Sequence, residues 1–302
     1  MQKRLNLTPL YQTTEQLRMW GARYLSIKNK KALNLSHKAL TVYPVQDIYP
    51  CLPFVLKNSF FPYNGDLLST KISRESFIRS IADLLRKAEI ELPDDVVNAL
   101  QKAETAEENQ VAKSQLQAIL KNLEIAKKHG VPMCQDTGIM IFFAEIGTEF
   151  QSGFDLEAAI REAVTIATTE IPLRPNAVDP LTRKNSGNNT GVGIPDIHWK
   201  FVPGNQLKIT AAPKGAGSEN MSYLRMFNPT EIGNIKNFVL ETVVNAGGMP
   251  CPPLTIGVGI GGSFDAAARL AKEALLEPLD APMEGLEKEI FEAVNTLGIG
   301  CM

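Results

Sequence analysis

From Phe77 onward apolar residues recur at helical spacing, and before residue 71 they show little period of any kind. This change of texture limits the fold more than any other feature. Phe77, Ile81, Leu84 and Ala88 make one face of a helix. Pro93 followed by Asp94 and Asp95 reads as a helix start, with proline in the first turn and acids at the positive end of the dipole. Leu116, Ile119, Leu120 and Leu123 mark a third helix, ending near Gly130. Residues 140–146 read as a strand, 155–169 as a helix and 206–212 as a second strand. Asn228-Pro-Thr-Glu231 is a capping box that opens a helix, with Ile232, Ile235, Val239 and Val243 as its apolar face and Gly247 and Gly248 as its stop. A strand through Ile260, a glycine turn, a helix over 264–277 and a last helix over 284–296 follow. The stripes read as core packing. The fold class expected is mixed α/β, with a helical N-terminal half followed by strand–loop–helix units.

Two regions are expected on this basis: residues 1–70, an extension, and residues 71–302, the main domain. The first carries nine Lys or Arg against Glu15, Asp47 and Asp66, a balance of +6 in a chain whose net charge is −2. It also holds five of the six tyrosines. A basic arm, a targeting extension, a small added domain or upstream sequence from a misassigned start all fit it. It is expected to be dispensable for folding.

The near-zero net charge gives no global basic field for nucleic acid. No stretch approaches the roughly 20 apolar residues of a membrane span, and no secretory signal is evident. Cys51, Cys134, Cys251 and Cys301 make no dense framework in a chain of this size, so disulfide stapling is not expected and a reducing cytoplasm is the default.

Three loops combine reactive or anion-binding residue types. Pro132-Met-Cys134-Gln135-Asp136-Thr137-Gly138 puts a soft ligand beside an amide and a carboxylate; a structural thiol in a solvated turn reads the same way. Gly247-Gly-Met-Pro-Cys251-Pro-Pro253 fixes one thiol between prolines, a setting that iron–sulfur ligands also use. Ala212-Pro-Lys214-Gly215-Ala-Gly217-Ser218-Glu-Asn220 offers backbone amides and a cation to an anion, or is a plain glycine turn. Between them, Arg174 heads a segment running through Asp179 and Arg183 to Asn185-Ser-Gly-Asn-Asn-Thr190. An arginine there matches a carboxylate bidentately, or lies on the surface. The close cysteine pairs of zinc sites are absent from the sequence.

Taken together, "PMCQDTG", "LR…VDPLTR.N.G.NT", "APKGAGSEN" and "GGMPCPP" resemble, in order and spacing, the α-subunits of the class I fumarase and L(+)-tartrate dehydratase family. The resemblance runs from about residue 71 to the C-terminus. It implies an iron–sulfur hydro-lyase that hydrates or dehydrates a four-carbon dicarboxylate, fumarate to malate in the first reading and L-tartrate in the second. By the same resemblance, three cysteines hold a [4Fe–4S] cluster with one iron open. Cys134 and Cys251 match two of these ligands. Gln135 and Asp136 match catalytic and substrate-binding positions, and Arg174, Lys214, Gly215 and Gly217 match the substrate region. The third cysteine should follow a glycine-rich stretch, and Leu297-Gly-Ile-Gly-Cys301-Met302 looks like the start of one. The natural product is therefore expected to continue past Met302, with Cys301 the weaker substitute ligand. The remaining acid–base groups are expected in that continuation, or in a β-subunit or fused C-terminal domain, with the enzyme oligomeric.

Two rival readings come from other classes. Gly257-Val-Gly259-Ile-Gly-Gly262 fits the dinucleotide fingerprint G-x-G-x-x-G, but no apolar strand ending in an acid follows the next helix. A tight strand-to-helix turn accounts for it better. The second rival is an inactive fragment or a non-catalytic assembly subunit.

Overall fold

The computed structural model describes residues 24–29, 38–44, 54–55, 72–297 and 299. In chain order the strands are β1 (Tyr24–Asn29), β2 (Lys38–Pro44), β3 (Phe54–Val55), β4 (Ile139–Gly147), β5 (Asp196–Val202), β6 (Leu207–Lys214), β7 (Tyr223–Phe227) and β8 (Thr255–Ile260). The helices are α1 (Arg74–Ile90), α2 (Asp94–Ala106), α3 (Gln110–His129), α4 (Leu156–Glu170), the single turn α5 (Ala216–Glu219), α6 (Ile235–Ala246), α7 (Phe264–Ala274) and α8 (Gly285–Val294). The chain is a mixed α/β protein, as its sequence predicts.

The strands form two sheets, ordered β3-β6-β4-β5 and β1-β8-β2-β7. In the first, β4 runs parallel to β5 and antiparallel to β6. Met140, Phe142 and Ala144 of β4 alternate toward the core, where they meet Ile81 and Leu85 of α1 and Ile160 and Val164 of α4. Ala159, Ala163 and Ala167 recur at i+4 on α4 and are fully buried. Small side chains along that stripe let neighbouring elements pack closely.

The second sheet is organised by β8. Ile256, Val258 and Ile260 face a core with Phe238, Val239 and Val243 of α6 and Ile290 and Val294 of α8. The alternate positions, Gly257 and Gly259, lie under α7. A Cβ there would come within 2.2 Å of the Ala271 and Ala267 carbonyl oxygens respectively. Gly261 and Gly262, at φ +89° and +79°, make the turn into α7. The glycine spacing that resembles a dinucleotide fingerprint is thus spent on strand-to-helix packing.

Local signals explain most boundaries. Asn109 caps α3 by accepting from the Val111 and Ala112 amides, and Gly130 ends it in the left-handed region at φ +63°. The Asn228–Glu231 capping box is present, but it opens a 3-10 turn, Pro229–Asn234, that leads into α6. The helix expected over 264–277 ends at Ala274.

Five strands lie where the sequence reading places none: β1, β2, β3, β5 and β7. β8 pairs in parallel with β1, Tyr24 opposite Thr255, and antiparallel with β2, Leu40 opposite Ile260. Segments ahead of residue 71, the region expected to be dispensable for folding, therefore pair along both edges of β8. No helix among the described residues is long and apolar enough to cross a membrane.

Candidate active site

The loop between α3 and β4 is held from both preceding helices. The Met133 amide donates to the Glu89 carbonyl of α1 at 2.9 Å, and Asn122 Nδ2 of α3 donates to the Met133 carbonyl at 2.8 Å. Cys134 follows, half-buried. Its sulfur accepts from the Asp136 amide at 3.4 Å and donates to Gln135 Oε1 at 3.6 Å. Gln135 is exposed and Asp136 half-buried.

The Asp136 carboxylate is fixed by donors from three places. Oδ1 accepts from the Gly138 amide at 3.2 Å and from Asn176 Nδ2 at 3.0 Å, while Oδ2 accepts from the Ala216 amide at 2.9 Å. Asn176 Nδ2 also donates to the Gly138 carbonyl. Asp136 thus joins its own loop, the Arg174 segment and the glycine loop after β6.

The Arg174 segment is set by its backbone. The Arg174 amide donates to Thr137 Oγ1 at 3.1 Å. Asn189 is 1% exposed and left-handed at φ +58°. Its Oδ1 accepts from the Asn176 and Ala177 amides, and its Nδ2 donates to Thr168 Oγ1 of α4 and to the Arg174 carbonyl. This one amide uses both ends to hold residues 174–177. The Arg174 side chain is exposed, so its backbone is fixed while its guanidinium faces solvent. Further along, Asp179 accepts from the Thr182 amide and hydroxyl and from the Leu181 amide, and the Thr182 bonds hold its carboxyl below the usual range.

In the glycine loop Lys214 is buried. Its ammonium donates to Ser218 Oγ and, at 3.5 Å, to the Gly215 carbonyl. The structure therefore turns this lysine into its own loop. Gly215 packs on Asp136: a Cβ there would sit 3.4 Å from Oδ2. Cys251 enters from the other sheet, on the connection into β8. It is exposed and held at φ +49°, a left-handed conformation that a non-glycine residue rarely adopts. The structure thus brings three loops together at the Asp136 carboxylate, the one that carries Cys134 and Gln135, the one that carries Arg174 and Asn176, and the one that carries Lys214 and Gly215. Cys301 and Cys51 lie outside the described residues. Among the described residues no group of three or more His, Cys, Asp or Glu side chains is placed to hold a metal.

Glu89 is the residue that the sequence reading missed. It is fully buried in the last turn of α1, and neither carboxyl oxygen has a hydrogen-bond partner. Burial first, and the charge of Asp136 second, push its pKa well above the ordinary value. A helix C-terminus also disfavours the anion. The signal was available, since Glu89 follows Ile81 and Leu85 at i+4 intervals on the buried stripe. Because the folded-state pKa lies above the unfolded one, the stability this proton provides is complete below the ordinary glutamate range. It is lost as pH rises through the folded pKa, by about 1.4 kcal/mol per unit of difference. Melting curves should show Glu89→Gln holding its stability across that rise while the parent declines. Equal pH slopes for the two proteins would show that Glu89 is not held protonated.

The sequence model of the fumarate hydratase (fumerase) family matches residues 78–302. A Methanocaldococcus jannaschii protein, provisionally named L(+)-tartrate dehydratase subunit alpha, is 48% identical over 232 residues, 74% of this chain and 81% of that protein. The L(+)-tartrate dehydratase subunit alpha of Escherichia coli strain UTI89 is 33% identical over 227 residues, covering 73% and 75%; that of strain K12 is 32% identical over the same length. With a family match over most of its length and relatives that it covers by three quarters or more, the chain belongs to the fumarate hydratase family of hydro-lyases.

Proposed function

We propose that the chain is the α-subunit of an iron–sulfur hydro-lyase that adds water to, or removes it from, a four-carbon dicarboxylate, fumarate and malate in the first reading. The observation that carries this is the Asp136 carboxylate, fixed on both oxygens by Gly138, Asn176 and Ala216 beside a half-buried thiol. Proton transfer in a hydration needs an acid–base group whose direction is set before substrate arrives. Asp136 fills that role, with Gln135 beside it at the reacting carbons. Arg174, on a locked backbone and with an exposed guanidinium, takes one substrate carboxylate as a bidentate pair. Gly215 and Gly217 leave the glycine loop's backbone open to the other. Lys214 adds its charge beneath that loop.

Cys134 and Cys251 suit a [4Fe–4S] cluster as soft donors, and they are two of the three thiolates it needs. The described residues do not complete the set. When bound, such a cluster supplies a Lewis acid for the hydroxyl that leaves or arrives. A partner subunit, to which the relatives' subunit names point, would supply further groups to the site. L-tartrate is the second substrate reading, favoured by the names of those relatives.

The cluster is tested by anaerobic purification with the partner subunit and analysis for iron and sulfide. About four of each per protomer is expected, and Cys134→Ser or Cys251→Ser should lose both, while Cys51→Ser should not. Bound zinc with no sulfide would refute the iron–sulfur reading.

A further inference from the structure

Lys272 stands on α7, behind the strand that follows Cys251, yet its partner lies in the glycine loop of the other sheet. Lys272 Nζ is 2.9 Å from Glu219 Oε1, and Glu219 Oε2 is 3.7 Å from Lys214 Nζ. The Lys272 side chain is 16% exposed and that of Lys214 is 4%. Lys272 also lies near Asp196 at the start of β5. Its charge helps to hold that carboxyl below the usual range, after the larger effect of His198, whose Nε2 is 3.2 Å from Asp196 Oδ2. The Lys272 ammonium of the β8–α7 unit is thus paired with the Glu219 carboxylate that follows β6.

An exposed lysine–glutamate pair is worth little, because water screens it and both side chains lose freedom. Here the lysine is largely out of water, where an ammonium persists only when it is paired. Its partner, Glu219, is in the short turn whose first amide, that of Ala216, donates to Asp136 Oδ2. We propose that Lys272 and Glu219 are a positioning pair that holds the 214–220 loop, and through it the Asp136 carboxylate, in register with the strand–helix unit that carries Cys251. This rests on the reading of the site given above. Neither residue touches substrate. Their effect is to keep the anion-binding loop closed on Asp136.

The test has two arms. In the first, deuterium uptake is followed across the whole chain. Lys272→Met keeps the buried stem and removes the charge. It should speed exchange in residues 214–220 roughly tenfold, the scale of one coupled contact. Glu219→Gln should do the same, the double variant should add nothing further, and Lys272→Arg should return the loop to parent behaviour. Unchanged uptake in both single variants, or effects that simply add, would overturn the pair. If Lys272→Met does not fold, Glu219→Gln carries the comparison. The second arm measures hydration kinetics with the partner subunit and fumarate. Lys272→Met should raise KM about tenfold and change kcat by less than about threefold, with Lys272→Arg restoring KM. A fall in kcat alone would overturn the positioning role. A parent protein inactive on every dicarboxylate would remove the functional reading, and the exchange arm would still decide the pair.

Discussion

Asp136→Asn should keep its fold and lose at least about 100-fold in kcat/KM, the scale of a positioned acid–base group. Three N–H donors meet this carboxylate: Gly138 and Asn176 at Oδ1, and Ala216 at Oδ2. An asparagine has one oxygen. If the oxygen takes the Oδ1 place, the amide NH2 faces the Ala216 N–H; if it takes the other, the NH2 faces two donors. Either choice leaves a donor against a donor, at about 1–3 kcal/mol for a group left unsatisfied. The glycine loop is therefore expected to lift from Asp136 as well. Steady-state kinetics with melting curves separate the two effects: the melting temperature should fall modestly and kcat/KM steeply. Activity within tenfold of the parent would take Asp136 out of the chemistry.

Gly138→Ala should damage the same site by a steric route. Gly138 has φ +74°, and a Cβ there would lie 2.4 Å from the Lys214 carbonyl carbon and 2.5 Å from its oxygen. Both obstacles are backbone, so no side chain can swing aside. They also lie at the end of the β4–β6 ladder, where Ile139 faces Lys214. The ladder must open or the loop must move, and a cost of about 3 kcal/mol or more follows. At about 2.1 cal/mol/K of unfolding entropy per residue, that is a fall of roughly 5 °C in Tm for a chain of 302 residues. Gly130→Ala is the internal control. It has a similar φ, +63°, with nothing within 4 Å of the added carbon. Only the left-handed penalty remains, about 1 kcal/mol. Similar Tm losses in the two variants would show that backbone conformation, not the close approach of the two loops, sets the requirement for glycine at 138.

The longer helices were legible because each buries a stripe of apolar residues, and a stripe is a local pattern. The strands were less so. β4 was readable from Met140, Phe142 and Ala144, whose alternation faces a core. β5 alternates Ile197, Trp199 and Phe201 with Asp196, His198 and Lys200, a local signal that the sequence reading passed over, although at the sheet edge none of its residues is fully buried. The glycines of β8 carried a double meaning that only α7 resolves. In the site, Cys134, Asp136 and the glycine loop could be singled out because their residue types concentrate chemistry in short segments. Asn176, Asn189 and Lys272 could not. Each acts on residues 12 to 53 positions away, through hydrogen bonds or ion pairs that exist only once the loops converge. Glu89 lies between these cases, since a glutamate on an apolar stripe is a local anomaly, but what raises its pKa is burial and the charge of Asp136, a residue of another element.

The most direct test of the central claim is a hydration and dehydration assay. It uses the anaerobically prepared protein with its partner subunit, across fumarate, malate, L-tartrate and related four-carbon dicarboxylates. The account predicts turnover of at least one of them by the parent and its near-complete loss in Asp136→Asn. No turnover of any dicarboxylate by a preparation that holds its full iron and sulfide, or equal turnover by the two proteins, would contradict it.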